Sequence, residues 1–134
     1  MDIKTKKQRS YNMSRIRSKN TKPELMMFKI MGEHGIKFKK HYKISGRPDI
    51  VLLRQKIAVF INGEFWHGKG YDSFRDTLSE FWKDKIGKNI LRDKKVQRKL
   101  RYDGWKIINF WGRDVVKHPE ASFKRLKKFI LKSR

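Results

Sequence analysis

Two short apolar segments joined by three polar residues constrain the fold of this sequence more than any other feature. The segments are residues 49–53 and Ile57–Asn62, and Arg54-Gln55-Lys56 connects them. Runs of this length that are rich in Val and Ile are typical of buried strands, and so short a connection favours an antiparallel hairpin. The sequence therefore predicts a hairpin of two buried strands.

Periodic apolar positions predict further elements on both sides of the hairpin. Thr21-x-x-Glu24 has the spacing of a capping box, and Pro23 suits a first helical turn, so a helix is expected to start there and run to about Met31. The remaining predictions are a weakly alternating strand at 36–44, a long loop at 63–79, a helix at 85–102, a strand at 105–111 and a helix at Pro119–Lys132. A loop that long is often functional. The order α-β-β-β-α-β-α predicts a single α/β domain over residues 1–134 with a basic N-terminal arm at 1–20.

The charge of the chain points to a polyanionic partner. Its 134 residues include 36 Lys and Arg against 13 Asp and Glu, for a formal net charge of +23. Such a chain repels itself unless it meets a polyanion, and DNA or RNA is the leading candidate because binding releases counterions. An anionic membrane and generic RNA affinity are the alternatives. No long apolar span or signal peptide is visible and cysteine is absent, so an intracellular, cytoplasmic protein associated with the nucleoid is expected.

Asp49 is the first candidate for chemistry. It follows the turn Gly46-Arg47-Pro48 and opens a buried strand, so the hairpin is expected to bring it beside Ile61 at the end of the next strand. A carboxylate with a neighbouring backbone carbonyl offers the hard oxygen ligands that Mg²⁺ prefers. The alternative is that Asp49 only hydrogen-bonds its own turn.

Asn62 ends the second strand, and the long loop after it carries Phe65-Trp66-His67 between glycines. His67 is the natural general base for activating water, because an imidazole titrates near neutral pH. Phe65 and Trp66 are suited to stacking on bases or wedging between them. The alternatives are a surface histidine and a small apolar cluster under the loop. The spacing of Gly63, Gly68 and Lys69 imitates a phosphate-binding loop, but Gly70 replaces the Ser or Thr that such a loop requires.

A third candidate cluster lies on the long helix. Asn89 and Asp93 are four residues apart and share a helix face, where Asp93 is placed either to orient His67 or to hold a metal-bound water. Lys85 and Lys88 are candidates for gripping phosphates. The alternative is a solvated basic helix with scattered acids. Glu24 is explained by helix capping, although a second role in the site is compatible with it.

Together and in order, these segments resemble the very-short-patch-repair (Vsr) endonucleases. The resemblance covers about residues 9–112, and its parts are weak singly but specific in combination. The matching strings are Arg9-Ser-Tyr-Asn-Met13-Ser-Arg-Ile16, Thr21-x-x-Glu24, Gly46-Arg-Pro-Asp49, Val59-Phe60, Phe65-Trp66-His67, Phe81-Trp82, Lys85-Ile-Gly-Lys-Asn89-x-x-x-Asp93 and Gly104-Trp105.

The resemblance implies a fold related to the PD-(D/E)xK restriction nucleases, with a mixed β-sheet flanked by helices. It implies that Asp49 and the carbonyl of Ile61 bind the metal, that His67 is catalytic, and that Glu24, Asn89 and Asp93 support it. The implied DNA contacts are an aromatic wedge of Phe65, Trp66 and Trp82 and an N-terminal segment that includes Met13, Arg15, Ile16 and Arg17.

The sequence departs from the family pattern at two places. Asn62 stands where the family often has a histidine proposed to assist the leaving group. Glu64, Lys69, Tyr71 and Arg113 stand where the family has the Cys and His ligands of a structural zinc, so no zinc is expected. We expect that Glu64 holds the loop instead, through Arg113 or a lysine.

These features predict a Mg²⁺-dependent DNA endonuclease that acts as a monomer on double-stranded DNA and nicks it at T·G mismatches. A homing-type or phage-type endonuclease with the same core is one alternative, because similar cores without zinc occur there. A non-catalytic nucleic-acid-binding module is the other.

Overall fold

The computed structural model describes residues 20–64 and 68–133. The predicted N-terminal contacts Met13, Arg15, Ile16 and Arg17 and the loop residues Phe65, Trp66 and His67 therefore lie outside the described residues. The elements are α1 (Lys22–Glu33), β1 (Lys39–Lys40), β2 (Ile50–Leu52), β3 (Ile57–Asn62), α2 (Tyr71–Phe74), a 3₁₀ turn (Arg75–Thr77), α3 (Glu80–Tyr102), β4 (Lys106–Trp111), α4 (Gly112–Lys117) and α5 (Pro119–Lys132).

The strands form one mixed sheet in the order β1-β2-β3-β4. The predicted hairpin is confirmed: β2 and β3 are antiparallel, with Ile50 opposite Val59, and Lys56 closes the turn with a positive φ of 58°. β4 runs parallel to β3, with Ile61 opposite Phe110. A parallel pair requires a crossover, and α3 supplies it. The α/β architecture with a mixed sheet flanked by helices is thus confirmed.

β3 is buried on both faces of the sheet, which explains its uninterrupted apolar sequence. Ile57, Val59 and Ile61 pack in the larger core with α1, α4 and α5. Ala58 and Phe60 point the other way, into a smaller cluster with Leu100 of α3. The end of β3 therefore lies between the two helical layers, where Ile61 is buried and Asn62 is half-buried.

The predicted strand at 36–44 is reduced to Lys39–Lys40. Its continuation is interrupted at His41, whose φ of 46° lies in the left-handed region and is incompatible with extended backbone. A turn then follows, in which the backbone N–H of Arg47 donates to the carbonyl of Ile44 at 2.9 Å. The alternation in this segment therefore reflected packing rather than sheet pairing.

The helices also differ from the sequence-based prediction, in one boundary and in elements that were not predicted. α3 begins at Glu80 rather than at residue 85, because Ser79 caps it by accepting a hydrogen bond from the backbone N–H of Trp82. The long loop contains α2 and the 3₁₀ turn. α4 was not predicted, because its first turn is capped by Glu64, which is 49 residues away in sequence. Within the described residues, no helix combines the length and apolarity needed to cross a membrane.

Candidate metal centre

Asp49 lies at the start of β2, with its carboxylate directed to the end of β3. Asp49 Oδ2 accepts a hydrogen bond of 2.7 Å from the backbone N–H of Ile61. The main-chain carbonyl of Asp49 accepts a second bond, of 3.0 Å, from the N–H of His41. The hairpin therefore brings Asp49 and Ile61 together as the sequence predicted, and the contact that joins them uses the Ile61 N–H.

Glu24 is buried beside Asp49, with only 1% of its surface exposed. It lies in the first turn of α1, where its Oε2 accepts hydrogen bonds from the backbone N–H of Thr21 at 3.0 Å and from the Thr21 hydroxyl at 3.2 Å. The predicted capping role of Glu24 is confirmed. Since Oε2 serves the cap, Oε1 is the oxygen directed at the neighbouring groups.

The pKa of Asp49 is raised to about 8, and burial is the largest cause. The hydrogen bond from its side chain to Glu24 and the negative charge of Glu24 contribute to this rise, whereas the N–H of Ile61 opposes it. Two carboxylates held together away from water cannot both stay charged unless a cation joins them. This environment favours either a bound proton or a bound metal ion.

His41 completes the group, and the sequence analysis missed it. Its Nδ1 lies 4.0 Å from Glu24 Oε1, and its Nε2 lies 3.3 Å from Asn20 Oδ1. One ligand atom from each of Glu24, His41 and Asp49 lies within 4.8 Å of the others. We refer to these three residues as the carboxylate–histidine cluster. His41 directly follows β1, and no motif in the sequence around it marked it as a site residue.

The cluster fits a divalent metal by its donor set. Carboxylate oxygens are the preferred ligands of Mg²⁺ and Mn²⁺, and imidazole nitrogen is a common ligand of transition ions. A divalent cation would also neutralise the two buried carboxylates. The structure thus supports a divalent metal at Asp49, while the identity of the ion is a separate question.

Asn62 follows at the carboxyl end of β3, where it joins a network of amide side chains. Asn62 Nδ2 donates to Asn109 Oδ1 at 3.4 Å. Asn109 and Gln97 exchange two further hydrogen bonds, of 2.7 Å and 3.1 Å. The network connects the end of β3 to β4 and to α3, and neither Asn109 nor Gln97 was singled out in the sequence.

The base of the long loop is attached to α4 by charged groups. Glu64 Oε1 and Oε2 each lie 3.2 Å from the backbone N–H of Arg113, and the Arg113 side chain is 3.8 Å from Oε2. On the other side of residues 65–67, Lys69 Nζ lies 3.7 Å from Asp114 Oδ2. The expected contact of Glu64 with Arg113 is therefore present. We refer to Glu64, Lys69, Arg113 and Asp114 as the loop clamp.

The predicted site residues on α3 lie on the helix that packs under this loop. Asn89 and Asp93 are half-buried, and Asp93 is not among the three described residues that form the cluster. Gly68 packs so closely that a Cβ there would lie 2.4 Å from Ile90 Cδ1. The loop therefore meets α3 one residue away from Asn89.

The three predicted DNA-contacting residues of α3 lie in its first half. Trp82 packs edge-on against Phe81, with ring centroids 5.1 Å apart, and Phe81 is 62% exposed. Lys85 Nζ lies 5.9 Å from the centre of the Trp82 ring. Lys88 forms an exposed ion pair of 2.9 Å with Asp84. An aromatic pair and lysines are thus grouped at the start of α3.

The buried Glu24 and the half-buried Asp49 meet at the end of a hairpin, in a mixed sheet flanked by helices, an arrangement that fits the core of a metal-dependent nuclease. The strongly basic composition agrees with a nucleic-acid substrate. The family profile for DNA mismatch endonuclease Vsr matches residues 1–73. The chain belongs to the Vsr family and is a DNA endonuclease.

Individual relatives are similar in sequence over nearly the whole chain. A type II nicking enzyme of Haemophilus parainfluenzae, V.HpaIIP, is 42% identical over 135 residues, which cover 97% of this chain and 96% of the relative. V.NmeDIP of Neisseria meningitidis serogroup C is 38% identical, with 97% and 90% covered. The DNA mismatch endonuclease Vsr of Escherichia coli K12 is 32% identical, with 96% and 87% covered. This similarity supports a DNA endonuclease of mismatch repair.

Proposed function

We propose that the protein is a monomeric, cytoplasmic, Mg²⁺-dependent endonuclease that nicks one strand of double-stranded DNA beside a T·G mismatch. The observation that carries the proposal is the contact of the half-buried Asp49 with the buried Glu24 at the end of β3. Desolvated carboxylates that need a cation, on a chain with a net charge of +23, fit phosphodiester hydrolysis. The names of the relatives, which are nicking enzymes and a mismatch endonuclease, support the same reaction.

Asp49 and the backbone carbonyl of Ile61 are the proposed metal ligands. Mg²⁺ at this position supplies positive charge that stabilises the developing charge of the phosphate and makes a neighbouring water more acidic. The N–H of Ile61 fixes the carboxylate of Asp49 in place. Glu24 is anchored in turn by the cap of α1. Both groups are therefore positioned before substrate binds, which avoids a reorganisation cost during the reaction.

His67 is the proposed general base, which takes the proton from the attacking water. Asn89 and Asp93 are proposed to orient its imidazole, and the packing of Gly68 on Ile90 supports this because it attaches the loop beside these residues. Asn62 is proposed to hydrogen-bond near the leaving oxygen, held by Asn109. An amide cannot supply a proton from a titrating group, so water must protonate the leaving group in this chain.

DNA recognition is proposed to combine phosphate contacts with an aromatic wedge. Lys85, Lys88, Arg15 and Arg17 would contact phosphates, and Met13 and Ile16 would reach the opposite groove. Phe65, Trp66 and Trp82 would insert beside the mismatch. Unstacking a base step costs a few kcal/mol, and a mismatch lowers this cost because its pairing is already weak.

Nicking of a supercoiled plasmid and of two labelled duplexes, one with a T·G mismatch, tests the proposal. The wild-type protein should nick only with Mg²⁺ and should prefer the mismatched duplex. Asp49→Asn should lower the rate at least about a thousandfold, since the lost charge stabilisation is worth several kcal/mol. Asp103→Asn is the matched control, because this aspartate is exposed at the end of α3 and pairs only loosely with Lys99 at 4.0 Å.

The outcomes separate the proposal from its competitors. Nicking of the paired duplex at one particular sequence, without a mismatch preference, would indicate a homing-type or phage-type target. Tight, salt-sensitive binding without cleavage of any substrate would indicate a binding module. Trp66→Ala should reduce nicking of the mismatched duplex much more than nicking of the paired one, and equal losses on both would exclude the wedge.

A further inference from the structure

The backbone conformation of His41 is unusual for a histidine that only fills space. Its backbone φ of 46° is one that side chains rarely adopt, and the neighbouring Asn20 has a φ of 57°. Strained backbone of this kind persists only where surrounding contacts hold it. Those contacts are the N–H bond from His41 to the carbonyl of Asp49, an edge-on contact with the Phe28 ring at 6.0 Å and the contact with Asn20.

The contact with Asn20 indicates which ring nitrogen of His41 carries a hydrogen. Asn20 Oδ1 accepts hydrogen bonds, so the tautomer that pairs with it at 3.3 Å is the one that donates from Nε2. A neutral imidazole that donates from Nε2 presents a lone pair at Nδ1. Metal-bound histidines commonly have this arrangement, in which the second nitrogen donates to a carbonyl or carboxylate that fixes the ring.

Nδ1 faces the carboxylate of Glu24. It lies 4.0 Å from Glu24 Oε1, and Glu24 is almost completely buried. A lone pair that faces a carboxylate across this gap is unfavourable unless something positive lies between them. The spacing leaves room for an ion, because neighbouring ligand atoms of an octahedral metal are about 3 Å apart and opposite ones about 4 Å. The cluster, with its ligand atoms within 4.8 Å, closes to that size with small side-chain movements.

We propose that His41 Nδ1 is a direct ligand of the divalent metal, beside Asp49 and Glu24, and that it makes this a mixed nitrogen–oxygen site. A nitrogen ligand favours first-row transition ions over Mg²⁺, which strongly prefers oxygen. The site is therefore expected to bind Mn²⁺ more tightly than Mg²⁺. The inference rests on the proposed metal-dependent function, but it concerns how the ion is held and not whether DNA is cut.

Electron paramagnetic resonance of Mn²⁺ bound to the full chain without DNA tests the inference directly. Pulsed measurements should detect coupling to ¹⁴N from one directly bound histidine, and labelling the histidines with ¹⁵N should change that coupling in the wild-type protein. This measurement needs no variant, so a folding defect cannot obscure it. Absence of nitrogen coupling in wild-type protein that binds Mn²⁺ would overturn the inference.

Variants assign the nitrogen to one residue. His41→Asn should remove the ¹⁴N coupling and lower the preference for Mn²⁺ over Mg²⁺ about tenfold. Asparagine is chosen because it tolerates a positive φ better than most residues. His34→Asn is the matched control, since His34 stacks on Phe123 with ring centroids 4.4 Å apart. His67→Ala tests the loop histidine. Both His34→Asn and His67→Ala should keep the ¹⁴N coupling.

Failure of this inference is distinguishable from failure of the proposed function. If Asp49→Asn abolishes Mn²⁺ binding but the coupling persists in His41→Asn, the metal site stands and His41 is not a ligand. If wild-type protein nicks DNA with Mg²⁺ and shows no nitrogen coupling with Mn²⁺, the function stands and the inference falls. If the coupling is lost in His41→Asn although no DNA substrate is cut, the inference stands and the proposed reaction is wrong.

Discussion

The carboxylate–histidine cluster and the loop clamp both join distant parts of the chain through charged groups, but their environments differ. Glu24 of the cluster is 1% exposed, whereas the side chains of Lys69 and Asp114 in the clamp are 44% and 55% exposed. Burial makes the charge of Glu24 costly, and the half-buried Asp49 beside it has a raised pKa, so the two carboxylates are suited to take up a cation. Water and salt screen the charges of the clamp, so its groups stabilise only weakly. The comparison teaches that a carboxylate such as Glu24 differs from one such as Asp114 through its solvent exposure, which decides how costly its charge is.

The largest expected effect is on the pH dependence of metal binding at the cluster. Burial raises the pKa of Asp49 to about 8 in the protein without metal, so the metal must displace a proton below that pH. Affinity should fall about tenfold for each pH unit below 8, or about a hundredfold at pH 6. Calorimetric titration with Mn²⁺ in buffers of different ionisation enthalpy measures both the affinity and the proton release. A flat affinity between pH 6 and pH 8 would show that Asp49 is already ionised.

Glu24→Gln should lower metal affinity about tenfold or more, since it removes one of the charges that attract the ion. Glutamine keeps an oxygen that accepts from the backbone N–H of Thr21, so α1 should remain capped. Far-ultraviolet circular dichroism checks the helix, and Mn²⁺ titration checks the affinity. Unchanged affinity would confine Glu24 to its capping role. Glu64→Gln is the control from the clamp and should leave metal affinity unchanged.

Asp49→Asn should stabilise the protein without metal by about 1–3 kcal/mol at pH 8, because it removes a buried carboxylate that lacks a cation. The pKa of this group is raised on folding, so the wild-type stability it contributes is full below about pH 4 and is lost as pH rises toward 8. The advantage of the variant should therefore grow across that range. Urea unfolding at pH 5 and pH 8 measures the difference. A destabilised variant at pH 8 would mean that the hydrogen bond with Ile61 outweighs desolvation.

Glu64→Ala should cost about 1 kcal/mol in unfolding free energy, the usual value of a helix cap. Its carboxylate caps α4 through the backbone N–H of Arg113, and Trp111 supplies no side-chain bond there within the described residues. Thermal unfolding measures the loss, with Glu120→Ala as a control at the start of α5. A loss of several kcal/mol would show that the clamp contributes as much to the free energy of unfolding as the cluster does.

The smallest effect is expected for Lys69 and Asp114. A double-mutant cycle with Lys69→Met and Asp114→Asn should give a coupling below about 0.5 kcal/mol that disappears at 1 M salt. Urea unfolding at low and high salt measures it. A coupling that survives high salt would require a less solvated ion pair than the exposed one described.

The hairpin and the position of Asp49 were predictable because they depend on local sequence. Apolar runs and a short polar connection leave few arrangements, and Thr21-x-x-Glu24 is a local capping signal. The strand at 36–44 was overestimated because alternation does not reveal the left-handed backbone of His41. α4 was missed because its cap comes from Glu64, and a cap that is distant in sequence leaves no local signal.

The candidate site also divides into residues that the sequence predicted and residues that it did not. The resemblance to the Vsr family singled out Asp49 and Glu24, and the structure places them in contact. Asn62 is joined to Asn109 and Gln97, which no motif marks. The roles of His67, Asn89 and Asp93 stay predictions.

The sequence by itself determined the chemistry that is available: a basic α/β domain that resembles a nuclease family, with an acidic residue at the start of a buried strand. Only the tertiary structure decided that Glu24 from α1 and His41 from the end of β1 converge on Asp49. The physical reason is that pKa, metal affinity and the cost of a charge depend on burial and on neighbours brought from distant parts of the chain. Composition and spacing describe which groups exist, and folding decides which of them share a site without water.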